Sequence, residues 1–259
     1  MDKNIKILLQ YDGTRYDGWQ KQGNTDQTIQ GKLEKVLEKM TGTEVEVHGS
    51  GRTDAGVHAL GQVANFHIPV KFFKTLLEDN TGKISGAEYI KNYLNHYLPE
   101  DIAVLSAEEA PDRFHSRLNA VSKTYVYHIE TADKKDVFER KYKYGLGKPL
   151  DLMAMRRVAS CLEGTHDFKS FCSLKKMKKS TTRTLTAVEI TEKGSEVMIS
   201  FEGNGFLHNM ARILAGTLME VGLHERTLDE VKSALNGESR ELAGKTAPAE
   251  GLFLEKVVY

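Results

Sequence analysis

The most informative stretch of the chain is Gly51-Arg52-Thr53-Asp54-Ala55-Gly56-Val57-His58-Ala59-Leu60. It places one acid, Asp54, close to one guanidinium, Arg52, in a loop bracketed by two glycines. Because glycine adopts backbone angles that other residues avoid, this loop can hold Asp54 in an unusual, exposed pose. Strand-like runs at residues 44–48 and 62–68 lead into and out of the loop. An acid held between two strands indicates a fixed catalytic group.

Two simpler interpretations of this loop have to be weighed. An aspartate between glycines is commonly a turn residue that bonds its own backbone. The preceding Gly49-Ser50-Gly51 suggests a nucleotide-binding glycine fingerprint. That fingerprint fails because Asp54 occupies its third glycine position and a strand follows where a helix is needed.

Hydrophobic periodicity predicts the elements around the loop. Residues 27–40 have helical spacing, and a second helix covers part of 72–97, with Ile90, Leu94 and Tyr97 on one side. In chain order we predict a strand at 5–11, a helix at 27–40, strands at 44–48 and 62–68, a helix, and a strand at 102–106. The first half therefore has the order β-α-β-β-α-β.

The second half repeats this order. We predict a strand at 123–129, a helix at 151–162, strands at 184–191 and 196–201, a helix at 206–221, a capping box at Thr227–Glu230 and a strand at 252–258. Two split β-α-β units in succession predict an α+β protein with a duplicated architecture. We place the N-terminal α+β subdomain, which carries the Asp54 loop, at 1–108 and the C-terminal one at 109–259.

Composition sets bounds on the class of protein. The chain has 259 residues and 40% apolar residues, enough for a sizeable core. It has 36 basic and 36 acidic residues, so net charge does not predict a nucleic-acid partner, although charge can segregate onto one face. The basic cluster Lys175-Lys176-Met177-Lys178-Lys179 fits either such a face or a solvated loop.

Cysteine and apolar patterning indicate a cytoplasmic protein. Cys161 and Cys172 form no Cys-x-x-Cys pair, which argues against structural zinc and a disulfide framework. No run approaches the ~20 apolar residues of a membrane span. His58 belongs to no His-x-x-x-His pattern, so we expect it to be structural and assign no metal.

The residues 51–59 resemble the active-site signature of the tRNA pseudouridine synthase A (TruA) family. The resemblance extends over most of the chain. Its first half includes Tyr11-Asp12-Gly13-Thr14, Gly18-Trp19-Gln20, Gln22, Gly61-Gln62-Val63-Ala64, Asn95, Leu98-Pro99, Asp101-Ile102, Phe114-His115 and Arg117. Its second half includes Lys123, Tyr125, Tyr127, Asp167-Phe168, Ser170-Phe171, Thr181-Thr182-Arg183, Phe206-Leu207-His208-Asn209-Met210, Arg212 and Ala247-Pro248-Ala249-Glu250-Gly251-Leu252.

The resemblance implies two ferredoxin-like (split β-α-β) subdomains, with largely antiparallel sheets joined around a central RNA-binding cleft. It implies an isomerase that converts uridine to pseudouridine in the anticodon stem-loop of tRNA, at about positions 38–40, where recognition follows shape and backbone. The reaction involves no redox change, so we expect no cofactor. The resemblance also implies a homodimer.

The resemblance further implies the roles of four residues. Asp54 is the expected nucleophile, although an aspartate at this place can equally remove the C2′ proton. Tyr125 is expected to stack on the flipped base, Arg212 to pair with the aspartate, and Arg52 to hold a phosphate or fill the space left by the base. By position alone, Tyr125 fits a core aromatic and Arg212 a surface arginine of a helix.

Two alternatives and two departures from the family's pattern stay open. A non-catalytic RNA-binding or RNA-folding protein would not need Asp54 in a rigid loop. A nucleoside hydrolase or RNA glycosylase usually needs a second carboxylate as general acid, and no other acid lies in a comparable motif. Residues 76–88 resemble an insertion, for which a surface loop is the default expectation. Leu118 and Asn119 also depart slightly from the family's usual residues.

Overall fold

The structure, a computed structural model, describes residues 2–79, 84–134, 136–174, 180–237 and 239–259, without the side chains of 75–79. The chain divides into two compact units. Unit 1 comprises Met1–Val121 and Leu254–Tyr259, and unit 2 comprises Ser122–Phe253. Both combine helices with strands that pair mostly antiparallel, which confirms the predicted α+β class.

Unit 1 alternates strands and helices along the chain. Its elements are β1 (Lys3–Tyr11), α1 (Ile29–Thr41), β2 (His48–Gly49), β3 (His58–Ile68), α2 (Val70–Asp79), α3 (Gly86–Tyr97) and β4 (Ile102–Glu109). The strands β4, β1 and β3 lie side by side and antiparallel. The short β2 pairs with β3, with His48 opposite Asn65.

Unit 2 also mixes the two kinds of element. Its elements are β5 (Ser122–Glu130), β6 (Tyr144–Gly145), α4 (Leu152–Leu162), β7 (Gly164–Asp167), β8 (Thr182–Lys193), β9 (Glu196–Gly203), α5 (Met210–Gly222) and α6 (Leu228–Asn236). The order β5-β9-β8-β7 is antiparallel throughout, and β6 adds to β5 in parallel. The strand β10 (Leu252–Val258) follows, and its residues from Leu254 onward belong to unit 1, beside β3.

The core of unit 1 follows from the two periodicities. Ile5, Ile7 and Leu9 alternate along β1 and are fully buried, as are Leu33 and Leu37 on α1. Side chains two apart on a strand, or four apart on a helix, point to one side, so both elements present one apolar face. The predicted helix and strand positions here are confirmed.

The strand predicted at 44–48 is wrong for most of its length, since only His48 of that run is paired as a strand. The backbone groups of Val47 bond side chains of α1 instead. Its N–H donates to Glu34 Oε1 at 3.1 Å, and its carbonyl accepts from Gln30 Nε2 at 3.1 Å. Buried backbone groups need partners, and α1 supplies them here in place of a neighbouring strand.

The segment predicted to hold one helix, 72–97, holds parts of two. In α3, Ile90 and Leu94 are buried as predicted, whereas the side chain of Tyr97 is 42% exposed. The expected surface loop at 76–88 is wrong at both ends, because 76–79 belong to α2 and 86–88 to α3. Residues 80–83 of that loop, and the basic cluster 175–179, lie outside the described residues.

The start of α5 and three short elements also differ from the prediction. The helix predicted from Phe206 begins at Met210, because Asn209 has φ 60° and ψ 7°, the left-handed conformation that no helix continues through. The elements α2, β6 and β7 were not predicted. The capping box is confirmed, with Thr227 and Glu230 bonding each other's backbone N–H groups at the start of α6.

Candidate active site

The Asp54 loop of unit 1 ends in a tight turn. Val57 N–H donates to the Asp54 carbonyl at 3.1 Å, and Gly56 has φ 77°. A positive φ at the third residue of a turn is the signature of a type II turn and is normally reserved for glycine. The turn leaves Asp54 half-buried at its first position and Ala55 exposed at its tip.

A second segment, residues 16–19, holds the loop on both sides of Asp54. The Trp19 N–H donates to the Thr53 carbonyl at 3.0 Å, and the Gly56 N–H donates to the Tyr16 carbonyl at 3.2 Å. Gly18 lies between these bonds with φ 92°, and a Cβ there would stand 2.6 Å from the Thr53 carbonyl oxygen. The backbone of Asp54 is therefore fixed by neighbours on either side of it.

Buried polar side chains also hold the loop through hydrogen bonds to Thr53 and Gly51. The hydroxyls of Tyr11 and Thr53 are 2.8 Å apart, Gln62 Nε2 donates to the Gly51 carbonyl at 3.0 Å, and Ser50 Oγ donates to Gln62 Oε1 at 2.6 Å. Burial raises the pKa of Tyr11 to about 12, so its hydroxyl keeps its proton at neutral pH. A fully satisfied buried network of this kind rigidifies what it holds.

Asp101 in turn fixes the 16–19 segment. The Tyr16 hydroxyl donates to one oxygen of Asp101 at 2.5 Å, and Arg15 binds the other oxygen through two nitrogens, at 3.0 and 2.7 Å. Charge-assisted bonds of this kind are stronger than neutral ones. Residues far apart in sequence thus converge on the loop, and the sequence pattern gave no sign of this role for Asp101.

Arg52, predicted to contact substrate, is exposed next to the loop. Its guanidinium has no hydrogen-bond or ion-pair partner among the described residues. An arginine without a protein partner keeps its donors available to a phosphate or a base. Arg52 therefore has the exposure that its predicted role requires.

Tyr125 of unit 2 is buried on the face of β5 that it shares with Tyr127 and Ile129. Its ring makes an edge-to-face contact with Phe206, with centroids 4.8 Å apart. Tyr127 donates its hydroxyl to the Pro248 carbonyl at 2.9 Å. Tyr125 is thus held by an aromatic partner from the loop that precedes α5.

Arg212 stands in the first turn of α5, and its guanidinium is held at two points. Its Nε donates to the Ala247 carbonyl at 2.7 Å, and its Nη1 donates to Asn209 Oδ1 at 3.1 Å. The two bonds fix the direction in which the Arg212 guanidinium points.

Asn209 directs Arg212 and does not cap the helix α5. An asparagine before a helix usually has an extended backbone and bonds the N–H groups of the first turn. Here it is left-handed and makes no such bond, while its amide accepts from Arg212 and donates to Ser173 Oγ at 3.0 Å. Backbone strain of this sort persists only where the surroundings enforce it, and it concentrates at functional sites. The sequence motif contained Asn209 but did not reveal this role.

The predicted residues are distributed over both units. Asp54 and Arg52 belong to unit 1, and Tyr125 and Arg212 belong to unit 2. A cavity of about 670 Å³ in unit 2 contains none of them, since it is lined by Glu250 and residues between 130 and 148.

In the part of the chain described, no three His, Cys, Asp or Glu side chains are grouped to hold a metal ion, and no helix is long and apolar enough to span a membrane.

Sequence comparison identifies the family of the chain. The chain belongs to the tRNA pseudouridine synthase family, whose sequence model matches residues 7–119 and 158–259. The matched ranges include Asp54, Arg52 and Arg212, and Tyr125 falls between them.

Curated relatives narrow this to one branch of the family. The chain is 43% identical over 256 residues to tRNA pseudouridine synthase A 2 of Bacillus cereus (strain ZK / E33L), with 99% of both chains covered. It is 45% identical over 256 residues to tRNA pseudouridine synthase A of Bacillus sp. (strain KSM-64), again with 99% of both covered. It is 45% identical over 257 residues to tRNA pseudouridine synthase A 1 of Clostridium tetani (strain Massachusetts / E88), covering 99% of this chain and 100% of the relative. The resemblance to the TruA family is thereby confirmed.

Proposed function

We propose that this protein is a tRNA pseudouridine synthase that isomerises uridine in the anticodon stem-loop of tRNA, at about positions 38–40. The observation that carries the proposal is the Asp54 loop, an acid fixed from both sides and from below. Relatives named tRNA pseudouridine synthase A, aligned over nearly the whole chain, support the choice of tRNA.

The chemistry asks for a carboxylate beside the sugar of a flipped-out nucleotide. The N1–C1′ bond of uridine breaks, the uracil turns, and C5 bonds to C1′. The proton lost from C5 is balanced by one gained at N1, so there is no net oxidation or reduction. Asp54 serves either as the nucleophile at C1′ or as the base that removes the C2′ proton. Either role needs the carboxylate in one fixed position, which the loop provides.

The other predicted residues have supporting roles. Tyr125 stacks on the extruded uracil, offsetting the few kcal/mol that base flipping costs. Arg212 pairs with Asp54 and orients its carboxylate. Arg52 takes a phosphate or occupies the space left by the base. The fixed guanidinium of Arg212 and the partnerless one of Arg52 support these assignments.

The architecture we propose is two ferredoxin-like subdomains joined around an RNA-binding cleft, with the Asp54 loop on residues 1–108 and the completing residues on 109–259. The order β4-β1-β3, with β2 on β3, supports the assignment of the first, because a split β-α-β unit has its strands in this order. A homodimer in the cytoplasm completes the proposal. Neither metal nor cofactor takes part in it.

The direct test is tritium release from an anticodon stem-loop RNA labelled at uracil C5. We expect release with the RNA chain intact and with no free uracil. A matched stem-loop carrying cytidine at the target positions is the control and should release nothing. Free uracil would instead identify a glycosylase, and tight binding without release from any tRNA would identify an RNA-binding protein.

Asn209 offers a test of how Arg212 is directed. Asn209→Gly keeps the left-handed backbone and removes the acceptor for Arg212, so we expect kcat to fall about tenfold or more with little change in KM, as for the loss of a bond to a charged group. Asn209→Asp keeps an acceptor oxygen, and we expect it to retain most of the activity. Equal losses of kcat in both variants, or a loss of kcat that follows a lowered Tm, would show that Asn209 has only a structural role.

A further inference from the structure

Two histidines from separate segments of unit 1 stack on each other. His48 lies in β2 and His115 in the segment after β4, with ring centroids 4.9 Å apart and planes at 23°. Both residues are half-buried, and 32% of the His48 side chain is exposed. The two rings, called here the imidazole pair, are partly accessible and have no part in the proposed reaction.

Buried hydrogen bonds fix the imidazole pair in place. Ser116 is fully buried, its Oγ donates to the His48 carbonyl at 2.5 Å, and its N–H donates to Asn65 Oδ1 at 2.9 Å. The Tyr259 hydroxyl donates to the Ser116 carbonyl at 2.7 Å. The segment bearing His115 is thereby tied to the β2–β3 pair that bears His48, so the stacking is a property of the fold.

In its neutral form, His115 can donate a hydrogen bond through Nε2. Its Nδ1 accepts the Arg117 N–H at 3.1 Å, so in the neutral ring the proton is on Nε2. Burial and the neighbouring His48 lower the pKa of His115 from its ordinary value, which favours the neutral ring at neutral pH. A neutral imidazole with Nε2–H can stack on a base by its face and donate a hydrogen bond by its edge.

Two exposed arginines flank His115 in the sequence, and the charge of one of them, Arg117, acts on the His115 ring. Arg113 and Arg117 are exposed, and neither guanidinium has a hydrogen-bond or ion-pair partner among the described residues. By contrast, Arg15 of the same unit is bound to Asp101. Glu46 Oε1 lies 3.7 Å from His48 Nδ1, and the Glu46 side chain is 76% exposed. In a chain of zero net charge, unpaired guanidinium groups beside an aromatic surface indicate a polyanion with bases.

The imidazole pair also lies within reach of the Asp54 loop. The chain runs from His48 directly into that loop, and an extended chain spans at most ~3.6 Å per residue, so the Cα atoms of His48 and Asp54 are no more than ~22 Å apart. A polynucleotide whose target nucleotide lies at Asp54 can place a flanking nucleotide on the pair.

We propose that His48, His115 and Arg117 form a subsite that binds the substrate RNA at a nucleotide flanking the one that reacts. A base stacks on the imidazole pair, and its phosphate is bound by Arg117 with His115 Nε2–H. The subsite rests on the proposed function, and it adds RNA affinity and register without touching the reacting atoms.

The test measures RNA binding and turnover separately. Arg117→Gln should weaken binding of the anticodon stem-loop about tenfold at low salt and reduce the dependence of log K on log salt by about one unit, as for one lost phosphate contact. His115→Ala should weaken binding about five- to tenfold, and His115→Phe, which keeps an aromatic face, should weaken it less. The loss in kcat/KM should come from KM. Arg157→Gln, at an exposed arginine of α4 in unit 2, is the matched control and should change neither quantity.

The outcomes separate this proposal from the proposed function. If the natural chain releases tritium while Arg117→Gln and His115→Ala bind RNA as it does, the subsite is wrong and the function stands. If the natural chain releases none, binding by the same variants still decides the subsite. Unchanged RNA affinity together with a shifted sedimentation coefficient would assign the surface to a second copy of the chain and overturn the proposal.

Discussion

Asp54→Asn is expected to lower the rate of tritium release at least about a thousandfold, as the loss of a group on which the chemistry depends does. The loop is held by backbone bonds to residues 16–19 and by the Tyr11–Thr53 contact, none of which uses the Asp54 carboxylate. The substitution therefore removes the negative charge of the carboxylate without removing these contacts of the loop.

Thermal unfolding and stem-loop affinity should consequently stay close to those of the natural chain. Asp112→Asn, at an exposed acid of the same unit, is the control for a lost charge and should retain full activity. If Asp54→Asn retained more than about a tenth of the rate, the proposed role of Asp54 would be wrong, because loss of a catalytic nucleophile or base lowers the rate far more than that.

Gly18→Ala is expected to cost both stability and activity, whereas Gly42→Ala should cost only stability. Both glycines have positive φ, 92° and 72°, so backbone strain alone should destabilise each variant by about 1–2 kcal/mol, and Gly18→Ala should lose more because of its Cβ contact. A Cβ at Gly42 meets nothing within 4 Å, but at Gly18 it meets the backbone of Thr53 and Asp54. Displacement of a catalytic group by about 1 Å can cost about a hundredfold in rate.

The comparison is made by chemical denaturation and tritium release on the two variants side by side. If both variants are folded under the assay conditions and only Gly18→Ala loses activity, contact with residues 16–19 sets the position of Asp54. Equal activity in the two variants would show that the loop holds its shape without that contact.

The sequence was sufficient for the elements whose burial is periodic. Ile5, Ile7 and Leu9 alternate, and Ile90 and Leu94 are one turn apart, so a local pattern is enough to predict a strand and a helix. It failed at Val47, whose apolar, β-branched side chain is typical of a strand but whose backbone groups are taken by Gln30 and Glu34. Periodicity carries no information about such distant partners.

For the candidate site too, the sequence predicted some features and missed others. Asp54, Arg52, Tyr125 and Arg212 could be named because a motif contains them. The motifs also contain Gly18, Asp101 and Asn209, but their positioning roles could not be predicted because they depend on tertiary contacts. Gly18 acts through the space that its missing Cβ leaves, Asp101 through its bonds to Tyr16 and Arg15, and Asn209 through a left-handed backbone. Propensity assigns Asn209 to an ordinary helix cap, and the structure uses it otherwise.

Unit 1 takes its final segment from a distant part of the chain. Residues 254–259 belong to it, the Val121 N–H donates to the Val258 carbonyl at 2.8 Å, and Tyr259 bonds Ser116. During synthesis on the ribosome, the half that carries Asp54 is made first, yet it cannot be completed until all of unit 2 has been translated. Unit 2, whose residues are contiguous, is free to fold earlier. The half that carries Asp54 therefore gains its last strand residues only after the whole of unit 2 has been translated.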